Sequence, residues 1–358
     1  MSRAKHLLTA VCISLALILG ACAGRPSEGV LVPDAQSAEG TSRVSMLIAT
    51  TRQRVSADAG AMFNGERAES VSYAAITVSI PPDSAREIGK IQWPASLPGN
   101  PARDFVTVSA DYIDKQQLSA AVSATAKPAG RRNVLIFVHG FNTRFDDAVY
   151  RFAQVVHDAK APGIPVLFTW PSRGELKLRA YTYDRESANY SRGALEQLIE
   201  TLAANPNVKD INIVAHSMGN WVTLEALRDM SLRTGKIGAK VRNVMLVAPD
   251  VDVDVFRTEM QSMGKSRPRF FLFASQDDGA LNFSKSIWGG VQRIGAIDPA
   301  QEPYKSELAQ ENVEAFDLTK LKGDAHGRAF EDITTVMTML KDRVGDLDGP
   351  RCMTQVKC

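Results

Sequence analysis

The residue best placed to act as a nucleophile is Ser217, in Ile211-Asn212-Ile213-Val214-Ala215-His216-Ser217-Met218-Gly219-Asn220-Trp221. A β-rich apolar run ends there in a small-residue turn. Val222, Leu224, Leu227 and Met230 then recur among polar residues, as in a helix. A serine on a strand–turn–helix bend of this kind is held strained with its hydroxyl exposed, the arrangement called a nucleophile elbow. The usual glycine two residues before the serine is Ala215, giving A-H-S-M-G. Alanine is the mildest departure, because the position needs a small side chain where helix and strand cross. A serine hydroxyl is a weak nucleophile on its own. It needs a base, a group that orients the base, and donors for the oxyanion that attack creates.

The chain has five histidines: His6, His139, His157, His216 and His326. His6 lies in the N-terminal targeting segment and His157 within an amphipathic helical pattern. His216 adjoins Ser217 on a sharp turn, where neighbouring side chains diverge. His139 comes early, in a separate loop. His326, in Gly323-Asp324-Ala325-His326-Gly327, follows the late apolar run Val313–Phe316. Where nucleophile, acid and base follow one another in that chain order, the base stands there. Three aspartates are candidates for the acid. Asp278 and Asp277 follow Phe270-Phe271-Leu272-Phe273-Ala274, and Asp250 follows Val244–Ala248; the order of preference is Asp278, Asp277, Asp250. Asp252 and Asp254 read as charges at a helix N-terminus.

For the oxyanion, Val138-His139-Gly140-Phe141-Asn142 ends another apolar run. Gly140 lets the backbone turn inward and His139 would brace the loop. The expected donors are the backbone N–H groups of Phe141 and of Met218, the residue after the nucleophile. Trp170, in Trp170-Pro171-Ser172, is a candidate pocket wall, as is His216. The basic, tyrosine-containing run 173–189 is a candidate lid.

These residues must sit at the ends of strands. From Arg131 onward, apolar runs alternate with helical patterns: Val134–Val138, then Phe145–Ala159; Val166–Trp170, then Tyr183–Ala203; the elbow strand and its helix; Val244–Ala248; Phe270–Ala274; Val313–Phe316; and a last helix from about Ala325 to Val344. Continuous apolar strands separated by helices indicate a mostly parallel sheet with helices on both faces, an α/β fold. In such sheets sites form at the carboxyl ends of strands. Before this core, residues 44–130 hold strand patterns at Val44–Arg52, Tyr73–Ile80 and Phe105–Ser109, read as an N-terminal β-rich extension packed on, or added to, the main sheet.

At 358 residues and 44% hydrophobic, the chain can bury a full core. With 42 basic and 40 acidic residues its charge is nearly balanced, so no nucleic acid partner is expected. Arg3, Lys5 and His6 precede an apolar stretch, Leu7–Ile18, and Leu19-Gly20-Ala21-Cys22. The stretch is short for a spanning helix and fits a signal peptide. Its ending resembles a bacterial lipobox, in which Cys22 would be acylated and become the first residue. Several acyl chains give stable anchoring. Ala23 in place of Asp favours the outer membrane by enterobacterial sorting rules. Residues 1–21 are therefore read as a signal peptide and 22–43, rich in small and polar residues, as a flexible tether with a reach on the order of 60 Å. Residues 131–345 form the catalytic domain and 346–358 a polar tail. In that tail Cys352 and Cys358 could pair in an oxidising compartment. No Cys/His cluster points to a metal, and no cofactor is expected.

Together VLIFVHGFN, LFTWPS, INIVAHSMGN, VAPDVDVDVF, Asp278-Gly279-Ala280-Leu281 and His326 resemble the α/β-hydrolase superfamily, and more closely the bacterial family DUF900. The resemblance spans roughly residues 44–345, including Thr51-Arg52 and Val78-Ser79-Ile80-Pro81-Pro82. It implies an α/β-hydrolase fold, and an acid at Asp278, where the family carries Asp before x-Ala-Leu. Asp277 beside it leaves the choice open. The expected activity is hydrolysis of a small-molecule or lipid carboxylic ester. The alternatives are acyl transfer by the same residues, or a non-catalytic lipid-anchored binding module, since fold alone does not prove activity.

Overall fold

The computed structural model describes Pro26 and residues 29–55, 60–126 and 132–344. The expectations for the signal peptide, for Cys22 and for Cys352 and Cys358 fall outside these residues. The described residues form one nine-stranded sheet in the order β3-β2-β1-β5-β4-β6-β7-β8-β9. The strands are β1 (Ser42–Arg54), β2 (Phe63–Ile80), β3 (Val106–Ile113), β4 (Asn133–Val138), β5 (Ile164–Thr169), β6 (Asp210–His216), β7 (Val241–Val247), β8 (Arg269–Ala274) and β9 (Val313–Asp317). β2 runs antiparallel to β1 and β3, and every other pairing is parallel.

The extension is thus added to the main sheet. β1 pairs with β5 from Leu47↔Val166 to Thr50↔Thr169. It also holds a helix, α1 (Lys115–Ala126), that its β-rich reading lacked. The tether reading is corrected from residue 29 onward. Val30 and Leu31 are buried in the same apolar cluster as Phe105 and Tyr150. The Val30 carbonyl accepts from Thr107 Oγ1 and Tyr150 Oη. Two adjacent large apolar residues in a small, polar stretch were the local reason for burial.

Strand side chains alternate between two cores, as period-two geometry requires. Val134, Ile136, Ile211, Ile213, Phe270 and Leu272 face one layer, packed by α1, α3 (Leu178–Ala204), α4 (Gly219–Thr234) and α5 (Val253–Met263). Phe137, Val214, Phe271 and Phe273 face the other, packed by α2 (Phe145–Asp158) and the C-terminal helices. Between β8 and β9 lie α6 (Gly279–Ile287) and α7 (Tyr304–Gln310), neither of which has a long periodic signature. The expected last helix is two, α8 (Arg328–Glu331) and α9 (Ile333–Val344), interrupted at Asp332. None of the described helices is long and apolar enough to cross a membrane.

Because β1, β5, β4, β6, β7, β8 and β9 are mutually parallel, their carboxyl ends share one rim. Onto it the chain delivers Arg52, His139, Trp170, Ser217, Asp250, Asp278 and His326.

Candidate active site

Ser217 sits between β6 and α4 with φ of 52°, a left-handed conformation that costs a non-glycine residue on the order of 1–3 kcal/mol. The surroundings hold it there. Its N–H donates to Val247 O, and its carbonyl accepts from Asn220 N and Asn220 Nδ2. Two glycines permit the bend. A Cβ on Gly219 would lie 2.3 Å from His139 O, where α4 crosses the end of β4. A Cβ on Gly140 would lie 2.7 Å from Ser217 Cβ, so the loop after β4 approaches the serine as closely as backbone allows. Neither the Phe141 nor the Met218 amide donates to an acceptor among the described residues. They are free for a ligand oxygen, as an oxyanion hole needs.

The three candidate acids have different partners. Asp278, fully buried, accepts from Leu281 N through Oδ1 as the N-cap of α6, and its Oδ2 lies 2.8 Å from His326 Nδ1. Asp277 forms a two-pronged pair with Arg328 at 2.8 and 2.9 Å, which lowers its pKa. It therefore anchors the start of α8, beside His326. Asp250 accepts from Tyr181 Oη and Ser284 Oγ, both at 2.6 Å, and lies 3.4 Å from Arg293 Nε. The structure thus brings Asp278 to His326, while Asp277 and Asp250 are engaged elsewhere. No hydrogen bond of Ser217 Oγ is present among the described residues.

His216 stands as a strut under His326. Its Nε2–H donates to the His326 carbonyl at 3.0 Å, and its ring packs against His326 and Phe330. Burial and the neighbouring His326 pull its pKa down to about 3, so it stays neutral. Trp170 is corrected from pocket wall to core. It is fully buried, its ring stacked on His139 and its Nε1–H donated to His139 O. A large aromatic at a strand end gains more from the core than from the rim.

His139 braces the loop. Nδ1 lies 2.9 Å from Gly140 O, and Nε2 accepts from Trp170 N. That fixes the tautomer with the proton on Nδ1. Burial and then Arg52 keep the ring neutral.

The residue that sequence reasoning left without a role is Arg52. The β1–β2 register slips at Thr50/Arg52, a bulge that re-aims side chains. The fully buried guanidinium donates to Thr169 Oγ1 (2.8 Å), Ser172 O (2.8 Å), Asn64 O (3.2 Å) and Thr143 O (2.7 Å). Burial pulls its pKa down to about 10, opposed by the charge of Asp184. Asp184, on α3, accepts from Ser172 Oγ and from Arg173 N and Asn142 N. One cation and one carboxylate thus fix the turn that carries Phe141. The sequence signal was a charged residue inside an apolar strand run. The run 173–189 is mostly the start of α3, and it contributes Tyr181 and Arg185 to a cavity of about 130 Å³ beside Met218. Among the described residues no cluster of His, Cys, Asp and Glu could hold a metal.

No curated protein matches the chain in sequence. Solved structures resemble it distantly. A siderophore hydrolase, EstB, from Aspergillus nidulans is 12% identical, with 89% of this chain and 100% of that one covered at a TM-score of 0.36. Naproxen esterase from Bacillus subtilis is 10% identical, with 64% of this chain and 96% of that one covered at a TM-score of 0.32. A lipase-esterase related protein from Clostridium acetobutylicum ATCC 824 is 14% identical, covering 60% and 95% at 0.31. The family profile described as alpha/beta hydrolase of unknown function matches residues 114–343. That match spans β4 to β9, with the bend at Ser217, the loop at Gly140 and the His326–Asp278 pair inside it, and the chain accordingly belongs to the alpha/beta hydrolase family DUF900.

Proposed function

We propose that this hydrolase cleaves carboxylic esters with Ser217 as nucleophile, His326 as base and Asp278 as the orienting acid. The observation that carries the reading is the 2.8 Å contact between His326 Nδ1 and the buried Asp278 carboxylate. A carboxylate there holds the proton on Nδ1 and leaves Nε2 free to accept. Ser217 Oγ adds to the ester carbonyl as its proton passes to His326 Nε2. The oxyanion takes hydrogen bonds from the Phe141 and Met218 amides. Collapse expels the alcohol, protonated by His326, and leaves an acyl-serine. Water, deprotonated by His326, then adds to the acyl carbon; the bond to Ser217 Oγ breaks, Oγ regains its proton from His326, and the acid leaves. The imidazolium formed in each half is stabilised by Asp278.

The test is labelling of the purified protein by a fluorophosphonate probe. Ser217→Ala should abolish labelling; undiminished labelling would refute Ser217 as the nucleophile.

The second part of the reading is location. Acylation of Cys22 would tether the enzyme to the envelope, on the periplasmic side and at the outer membrane. Its support is the run Leu19-Gly20-Ala21-Cys22-Ala23. Cys22→Ser should remove incorporation of labelled palmitate and release the protein from the membrane fraction. Persistence of both would exclude this anchor.

A further inference from the structure

The cavity beside Met218 is walled by Tyr181, Trp221 and Trp288, with Arg185 and Arg293 facing in. At about 130 Å³ it is close to the size that admits one benzene-sized group. Its charges are unequally committed. Both oxygens of Asp250 accept from hydroxyls and stand against Arg293, and Asp252 caps α5 by accepting from Asp254 N and Val255 N. Arg185 is different. Its guanidinium carbon lies 4.3 Å from the Trp288 ring centroid and 5.4 Å from that of Trp221. Among the described residues no carboxylate pairs with it and no acceptor meets its N–H groups. The indole faces hold the cation in place, and its edge donors remain unspent. A guanidinium presents those donors as a planar fork matched to a carboxylate or phosphate.

We propose that this cavity receives an acidic substituent of the substrate, a carboxylate or phosphate a few bonds from the scissile ester, and that Arg185 pairs with it between the two tryptophans. The proposal rests on the ester-hydrolase reading for its reaction, and on the cavity alone for its binding. It makes the substrate a small acidic ester rather than a neutral long-chain lipid.

Two measurements on the full chain test it. The first compares kcat/KM for 4-methylumbelliferyl butyrate and the succinate half-ester of the same alcohol, which have the same acyl length and differ by a terminal carboxylate. The parent should favour the half-ester, and Arg185→Gln should lower that preference by about tenfold to a hundredfold, the range of a charge-assisted pair. The second follows tryptophan fluorescence in Ser217→Ala on adding glutarate or glycerol 3-phosphate. The anion that perturbs it, and ceases to when Arg185→Gln is added, distinguishes a carboxylate from a phosphate. A preference unchanged by Arg185→Gln, or fluorescence indifferent to both anions, would overturn the proposal. If neither ester is turned over while an anion still binds through Arg185, the hydrolytic reading falls and the cavity assignment stands.

Discussion

Asp278→Asn separates the roles that meet at one carboxylate. Asp278 Oδ1 caps α6 through Leu281 N, and Oδ2 faces His326 Nδ1. Asparagine caps a helix about as well as aspartate, so the substitution should cost well under the ~1 kcal/mol of losing the cap. Chemistry should suffer far more. The new amide can turn its NH₂ toward His326, which then meets it with Nδ1 as acceptor. The ring proton moves to Nε2, and the base can no longer accept from Ser217. The imidazolium also loses its buried counter-charge. On the proposed mechanism kcat should fall by about 10⁴, or roughly 5 kcal/mol in barrier, with KM and melting temperature little changed. Asp277→Asn removes a charge from a pair whose carboxylate is 49% exposed, and kcat should fall by less than about tenfold. The assay is steady-state hydrolysis of a short-chain chromogenic ester, with thermal melts of each variant. A kcat for Asp278→Asn within tenfold of the parent would refute the assignment and move the acid elsewhere.

Arg52→Met should leave Thr143 O, Ser172 O and Asn64 O without their donor; orphaning the buried Ser172 O costs about 1–3 kcal/mol, and the turn carrying Phe141 should loosen, lowering both the melting temperature and kcat. Unaltered kcat in a destabilised variant would show the residue to be purely structural. Gly219→Ala drives a Cβ into the His139 and Val138 carbonyls, so a loss of about 1–3 kcal/mol is expected together with slower labelling of Ser217. Full stability would mean that α4 can shift away from β4. Glu259, on α5, is pushed up to about 9 by burial and then by Glu225. An acid whose folded pKa is raised contributes stability that is complete below its unfolded value near 4.5 and is lost as pH rises toward 9, by at most about 1.4 kcal/mol per pH unit. Glu259→Gln should therefore flatten the fall of melting temperature between pH 5 and 9; an identical slope in the variant would show that this residue does not set it.

Much of the fold was legible because its signals are local. Runs such as Val134–Val138 and Phe270–Ala274, each bounded by turn residues, announce buried parallel strands without reference to the rest of the chain. The bend at Ser217 is equally local, since small residues at 215 and 219 are what a strand-to-helix crossing demands. The helices α6 and α7 were not legible. They are short, and their stability comes from caps and packing rather than from a long periodic stripe.

By itself, then, the sequence determined the order of the strands along the chain, the serine on its bend, the Gly140 loop and the late His326, because turn chemistry and periodicity act over a few residues. Only the tertiary structure decided which aspartate meets His326. Asp250, Asp277 and Asp278 all follow strand ends, and their side chains are told apart by Tyr181, Arg328 and His326, which arrive from distant elements. The same holds for Trp170, drawn into the core by His139, and for Arg52, whose partners come from β5, from residues 143 and 172, and from the start of β2. Polar partners buried together are chosen by how strands stack and loops cross, and that choice is not written in any one stretch of chain.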